Sequence, residues 1–231
     1  MSSVITPELA ALFKPLTLTV TKLTCKVDTD EFDSDEPYII VFTANLSNQV
    51  INIPGGGKII IPATRTTLIG PWDDFDTGET GSPVAPPPGL PLDSPWIFVV
   101  GWPCWATDGK PAPIASPNNV IFLVALLEHD GGEPNSVRAA VQAGLSANLQ
   151  GYVNDTSLSR AQMIQNLVKD MNGLIDFAAQ SLDGDERIGS AKELQFTAAE
   201  MAEARSNKKS KELEFKGDGG KYTVKFVLRK A

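Results

Sequence analysis

The chain has 231 residues, 42% hydrophobic, 21% charged and 7% aromatic, with a net charge of −8. That apolar fraction is ordinary for a folded protein and too high for a disordered one, and the length supplies one large domain or two small ones with a real core. No apolar run approaches the roughly 18 residues of a membrane-spanning helix. The start MSSVITPELAALFKPL lacks the basic and apolar stretches of a secretory signal, so the expectation is a soluble protein, cytoplasmic or released by a non-classical route. The cysteines Cys25 and Cys104 cannot make a disulfide framework, and their spacing leaves open whether they are joined.

Charge is unevenly placed. Residues 191–231 hold 10 Lys and Arg against 6 Asp and Glu, which leaves 10 against 22 in residues 1–190. An acidic body repels phosphate, which argues against nucleic acid as a partner.

The first third predicts strands. Leu16, Leu18 and Val20 alternate with Thr17, Thr19 and Thr21, the period of a half-buried strand. Tyr38–Leu46 is a β-branched and aromatic run. Lys58–Leu68 is a third candidate, interrupted by Pro62 and therefore an edge or bulged strand. NIPGGGK before it predicts a turn. Residues 70–118 hold most of the prolines and all 4 tryptophans, Trp72, Trp96, Trp102 and Trp105. This segment predicts an ordered excursion with one strand near Trp96–Val100. Val120–Leu127 (VIFLVALL) predicts a central buried strand.

The period then changes. Val137, Val141, Leu145, Leu149 and Val153 recur every fourth residue, and Met163, Ile164, Leu167, Val168, Met171, Leu174, Ile175 and Ala178 mark one face of a second helix. The short NDTSLS linker predicts an antiparallel helical hairpin over 135–181. Strands return at Glu193–Thr197, Lys211–Phe215 and Tyr222–Leu228, the last two joined by GDGG. The fold class expected is mainly β: one antiparallel β-sandwich over 1–231 with an inserted helical hairpin.

Six carboxylates fall within nine residues at Asp28, Asp30, Glu31, Asp33, Asp35 and Glu36. Such a loop is either solvated surface or a source of oxygen ligands for a hard cation such as Ca²⁺. The central strand runs into LLEHDGGEP, giving Glu128, Asp130 and Glu133, and LDGDERIG after the hairpin gives Asp183, Asp185 and Glu186. Three acidic segments, each beside a strand, are expected to converge at one end.

These stretches resemble C2 domains. DEFDSDEPYIIV is similar to their first calcium loop and the S-D-P-Y strand after it. VALLEHD resembles the strand ending in V-x-D-x-D, and GDERIG the D-D-x-I-G turn. LTLTVTKLTCKVD, TLIGPWDDF and GGKYTVKFVL match further motifs in the expected order. The departures are Glu36 inside the S-D-P-Y signature, Glu128 in place of an aspartate, the helical hairpin, and the excursion at 70–118. The resemblance implies a C2-like sandwich with calcium ligands at Asp28 or Asp30, Asp35, Glu128, Asp130, and Asp185 or Glu186. It implies a non-catalytic module that couples calcium to an anionic membrane surface or a protein partner.

Lys208, Lys209 and Lys211, with Arg205 nearby, would add attraction to anionic lipid, or they protect an edge strand. A second reading is a calcium-independent, toxin-like or structural protein that binds a receptor or glycan through the Trp/Pro-rich segment. A third is a hydrolase using His129, the only histidine, flanked by Glu128 and Asp130. The group Asp73, Asp74 and Asp76 has no glycosidase-specific spacing, and PGGGK lacks the spacing of a nucleotide loop. The helical hairpin either docks on the sheets or unfurls onto a membrane.

Overall fold

The computed structural model describes residues 16–29, 35–46, 50–53, 55–82, 116–131, 133–182 and 185–230. Two antiparallel sheets hold the core. The first is built from β1 (Leu16–Val27), β6 (Thr80–Gly81), β10 (Lys209–Gly217) and β11 (Gly220–Lys230), in the order β10-β11-β1-β6. The second joins β2 (Pro37–Asn45), β5 (Ala63–Ile69), β7 (Val120–Glu128) and β8 (Glu186–Arg187), in the order β5-β2-β7-β8. A short β9 (Lys192–Glu193) also pairs with β7. A separate hairpin, β3 (Val50–Ile53) with β4 (Gly57–Ile60), links β2 to β5.

Alternation explains why β2 and β7 are buried along their whole length. Their residues point alternately to two faces. Ile39, Val41, Phe122, Val124 and Leu126 meet Leu18, Leu23, Val224 and Phe226 of the first sheet. Tyr38, Ile40, Phe42, Ile121, Leu123 and Leu127 face the helices instead. The continuous apolar runs of β2 and β7 therefore report a strand covered on both sides.

The second cover is the helical hairpin, expected at 135–181 and observed as α1 (Pro134–Tyr152) and α2 (Arg160–Leu182). Val137, Val141, Leu145 and Leu149 of α1, with Leu167, Met171 and Ile175 of α2, pack on the second sheet. Asn148 Nδ2 donates to Asp170 at 2.9 Å, and Gly144 lies against Leu174, so the helices run antiparallel. Arg187 clamps β8 to α2 through Asp176 at 2.6 and 3.1 Å. Arg160 ties the start of α2 to the Val120 carbonyl at 2.9 Å and to Glu193 at 3.1 Å. The docked arrangement is observed. No helix among the described residues is long and apolar enough to cross a membrane.

Some elements differ from expectation. Pro62 divides the run 58–68 into β4 and β5 where one strand was expected, while β5 is an edge strand, one of the two expected alternatives. The strand expected at 193–197 stops at Glu193, and α3 (Ala198–Ala204) follows. Its start is a capping box: Thr197 Oγ1 accepts from Glu200 N at 3.2 Å, and Glu200 accepts from Thr197 N at 2.7 Å. The T-x-x-E spacing carried that signal. The strand expected near Trp96–Val100, with Trp102, Cys104 and Trp105, lies outside the described residues.

Candidate functional site

The three acidic segments meet at one end of the two sheets, and strand register brings them there. Glu128, the last residue of β7, pairs with Pro37 on one side and Glu186 on the other. The next residue, His129, donates its backbone N–H to the Glu36 carbonyl at 3.2 Å. Glu128 continues the register of Val124 and Leu126, which face the inter-sheet core, and is only 2% exposed. Asp130, Glu133 and Glu186 stand exposed around it, with Glu36 half-buried.

Asp35 and Asp185 are buried and hold internal donors. Asp35 accepts from Thr29 N at 2.9 Å, from Thr29 Oγ1 at 2.7 Å, and from the Tyr222 hydroxyl. These bonds fasten the chain before β2 to the end of β1 and to β11. Phe75 stacks on Tyr222 with ring centroids 6.5 Å apart, and its N–H donates to the Asp35 carbonyl at 2.8 Å. The GPWDDF stretch therefore packs against the acidic end. Asp185 accepts from the Tyr38 hydroxyl at 2.8 Å and from Asp130 N at 3.2 Å. The Nδ1 of His129 lies 3.2 Å from Asp185 Oδ1. Burial, then the Asp185 charge, pushes the Tyr38 phenol well above its usual range.

Asp28 is half-buried and accepts from Thr77 Oγ1 at 2.8 Å. Cys25 is buried with a free thiol, pushed up to about 11 by burial and then by the charges of Asp35 and Asp28. Asp30 and Asp183 lie outside the described residues. Among the described residues, no three His, Cys, Asp or Glu side chains are grouped closely enough to hold a metal ion. Asp35 already accepts three donors and Asp185 two. Calcium takes six to eight oxygen ligands, from carboxylates, backbone carbonyls and waters.

His129 has the Asp–imidazole contact that orients a general base, but among the described residues no hydroxyl or thiol is hydrogen-bonded to it. The lysine group lies at the start of β10, at the far end of that strand from Gly217 and the acidic segments. Lys209 pairs with Glu203 at 2.7 Å, and Lys211 with Glu200 at 2.9 Å. Lys211 also lies over the Phe196 ring at 5.1 Å. Lys208 is exposed. β10 is an edge strand, where lysines discourage further strand pairing. The β3–β4 hairpin, whose first strand the sequence did not predict, carries exposed apolar side chains at the opposite end.

No protein-family model matches the chain, and comparisons with curated proteins and with solved structures return no match.

Proposed function

We propose that this protein is a non-catalytic binding module, a C2-like β-sandwich that meets its ligand through the acidic end. The observation that carries this reading is the convergence of three acidic segments around buried Glu128. Asp35 and Asp185 set the loops through their internal donors, which leaves Asp130, Glu133 and Glu186 facing solvent. A patch of that sign favours a cationic ligand and steers it electrostatically. A basic protein surface satisfies it directly. Calcium is the other cationic ligand, for which Asp30 and Asp183 are the nearest further candidates in sequence.

The test is thermal unfolding with millimolar calcium against excess chelator, followed by titration with a polylysine peptide. A ligand at a hundredfold over its dissociation constant stabilises the folded state by about 2.7 kcal/mol, a shift of several degrees here. A calcium shift that Asp130→Asn with Glu186→Gln removes identifies calcium as the ligand. Salt-sensitive polylysine binding lost in the same variant identifies a basic partner. Neither response in the wild type overturns the proposal.

A further inference from the structure

We infer that the β3–β4 hairpin is a second binding element, which seats itself in the interfacial region of an anionic lipid bilayer without any need for calcium. Five large apolar side chains stand exposed among the described residues, and three of them belong to the four-residue β3: Val50 at 54%, Ile51 at 48% and Ile53 at 42%. Register sorts the hairpin into two faces. Ile51 pairs with Ile59 and Ile53 with Gly57, while Asn52 pairs with Lys58 and Val50 with Ile60. Directly paired residues share a face. One face is therefore apolar (Ile51, Ile53, Ile59), and the other carries Asn52 and the exposed Lys58 towards the tip.

The hairpin is held at its base and bare at its tip. Ile60 N donates to Asn154 Oδ1 at 2.9 Å, and the Ile60 carbonyl accepts from Gln150 Nε2 at 2.9 Å and Asn154 Nδ2 at 3.0 Å. The end of α1 thus fixes where the hairpin points. Gly55 and Gly56 turn the chain at φ +105° and +97°, with open space where a Cβ would stand. That conformation suits glycine, and neither position carries a side chain.

Charge and area choose the occupant. Residues 37–72 contain no Asp or Glu in a chain that has 28 of them, and Lys58 lies within this stretch. The hairpin is thus an apolar spot with one exposed cation and no carboxylate of its own on an acidic protein, complementary to an anionic lipid surface. A protein partner would bury roughly 800 Å² per side in a stable interface, far more than one face of an eleven-residue hairpin spanning 50–60 supplies. Reversible lipid binding needs only a few apolar side chains with a cation beside them. At headgroup depth, water and lipid polar groups also satisfy the open strand edges, which the hydrocarbon core would not.

The test is co-sedimentation of the full chain with vesicles of phosphatidylcholine containing phosphatidylglycerol, in excess chelator. Binding is expected, weakened by salt and by removing the phosphatidylglycerol. Ile51→Ser with Ile53→Ser is expected to lower the partition coefficient about tenfold or more, with an unchanged melting temperature because both side chains are exposed. Lys58→Glu is expected to lower binding to anionic vesicles only. No wild-type binding in chelator overturns the inference, as does equal binding by the isoleucine variant. A concentration-dependent dimer abolished by Ile51→Ser with Ile53→Ser, without vesicle binding, overturns it in favour of a second copy as the occupant. Because chelator is present throughout, these results stand or fall independently of the ligand at the acidic end.

Discussion

The backbones of Gly189 and Gly217 touch. A Cβ on Gly217 would stand 2.2 Å from Gly189 N, and one on Gly189 would stand 2.3 Å from the Lys216 carbonyl oxygen. The segment returning from the helical hairpin is thereby pressed onto the end of β10, joining the two sheets at the acidic end. Gly189 also sits at φ +77°, where a side chain is strained in any surroundings. Gly189→Ala and Gly217→Ala are each expected to destabilise the protein by about 2–3 kcal/mol. The double variant should lose less than the sum, because both remove the same approach. Urea unfolding of the three variants checks this, and strict additivity would sink the shared-contact account.

Tyr38 and Asp185 are 147 positions apart and 2.8 Å from each other. Asp185→Asn keeps the shape, removes the charge and leaves a donor poorly matched, a loss of about 1–3 kcal/mol. Tyr38→Phe is expected to lose about 1 kcal/mol. A double-variant cycle should show coupling between the two positions, and none would mean the bond contributes nothing.

Alkaline pH should weaken the fold partly through the same phenol. Its pKa is raised in the folded state, chiefly by burial. The stability it contributes is therefore fully present below the ordinary tyrosine value of about 10 and is lost as pH rises above it. Urea midpoints from pH 8 to 11 should fall, and Tyr38→Phe should flatten part of that fall. An identical slope in the variant would count against the assignment.

Cys25 should be inert to thiol reagents while the protein is folded. Its thiol is pushed up to about 11, and the thiolate is the reactive form. In a Cys104→Ser background, labelling at pH 8 is expected to proceed at the rate of global unfolding. It should accelerate above pH 9, where the fold also loses the stability linked to this group. Rapid labelling at pH 8 would show that the site opens locally.

The helical hairpin should unfold together with the sheets. Leu145 and Leu167 are fully buried against β2 and β7, so Leu145→Ala or Leu167→Ala should lose about 2–5 kcal/mol. Far-ultraviolet circular dichroism and tryptophan fluorescence should report one coincident transition. A small effect on stability, or two separate transitions, would mean the hairpin is only loosely docked.

Much of the fold was legible because burial writes a period into the chain. The alternation in Leu16–Val20 marked β1, and the unbroken run Val120–Leu127 marked a strand covered on both faces. The four-residue spacing of Val137, Val141, Leu145 and Leu149 marked α1, although its start lies earlier than an N-cap at Asn135 or Ser136 would put it, with Glu133 as the cap. Where burial is partial the signal faded. β3 is exposed along its length, so its VINI carried no alternation to distinguish it from the neighbouring turn. α3 is short, and its T-x-x-E capping box lay within and just beyond a run read as a strand.

The sequence by itself determined that β strands dominate, that a helical hairpin interrupts them, and that acidic segments sit beside particular strands. Each follows from local periodicity and composition. Which carboxylates face solvent was decided only by the tertiary structure. Asp35, Asp185 and Asp130 are the same residue type in similar loops. Yet Thr29, Tyr222, Tyr38 and His129, brought together by strand register from distant parts of the chain, claim the first two, while Asp130 keeps its side chain exposed. A hydrogen bond between residues 147 or 187 positions apart leaves no trace in local spacing. Only the packing of the two sheets turns a run of like charges into buried locks and an open surface.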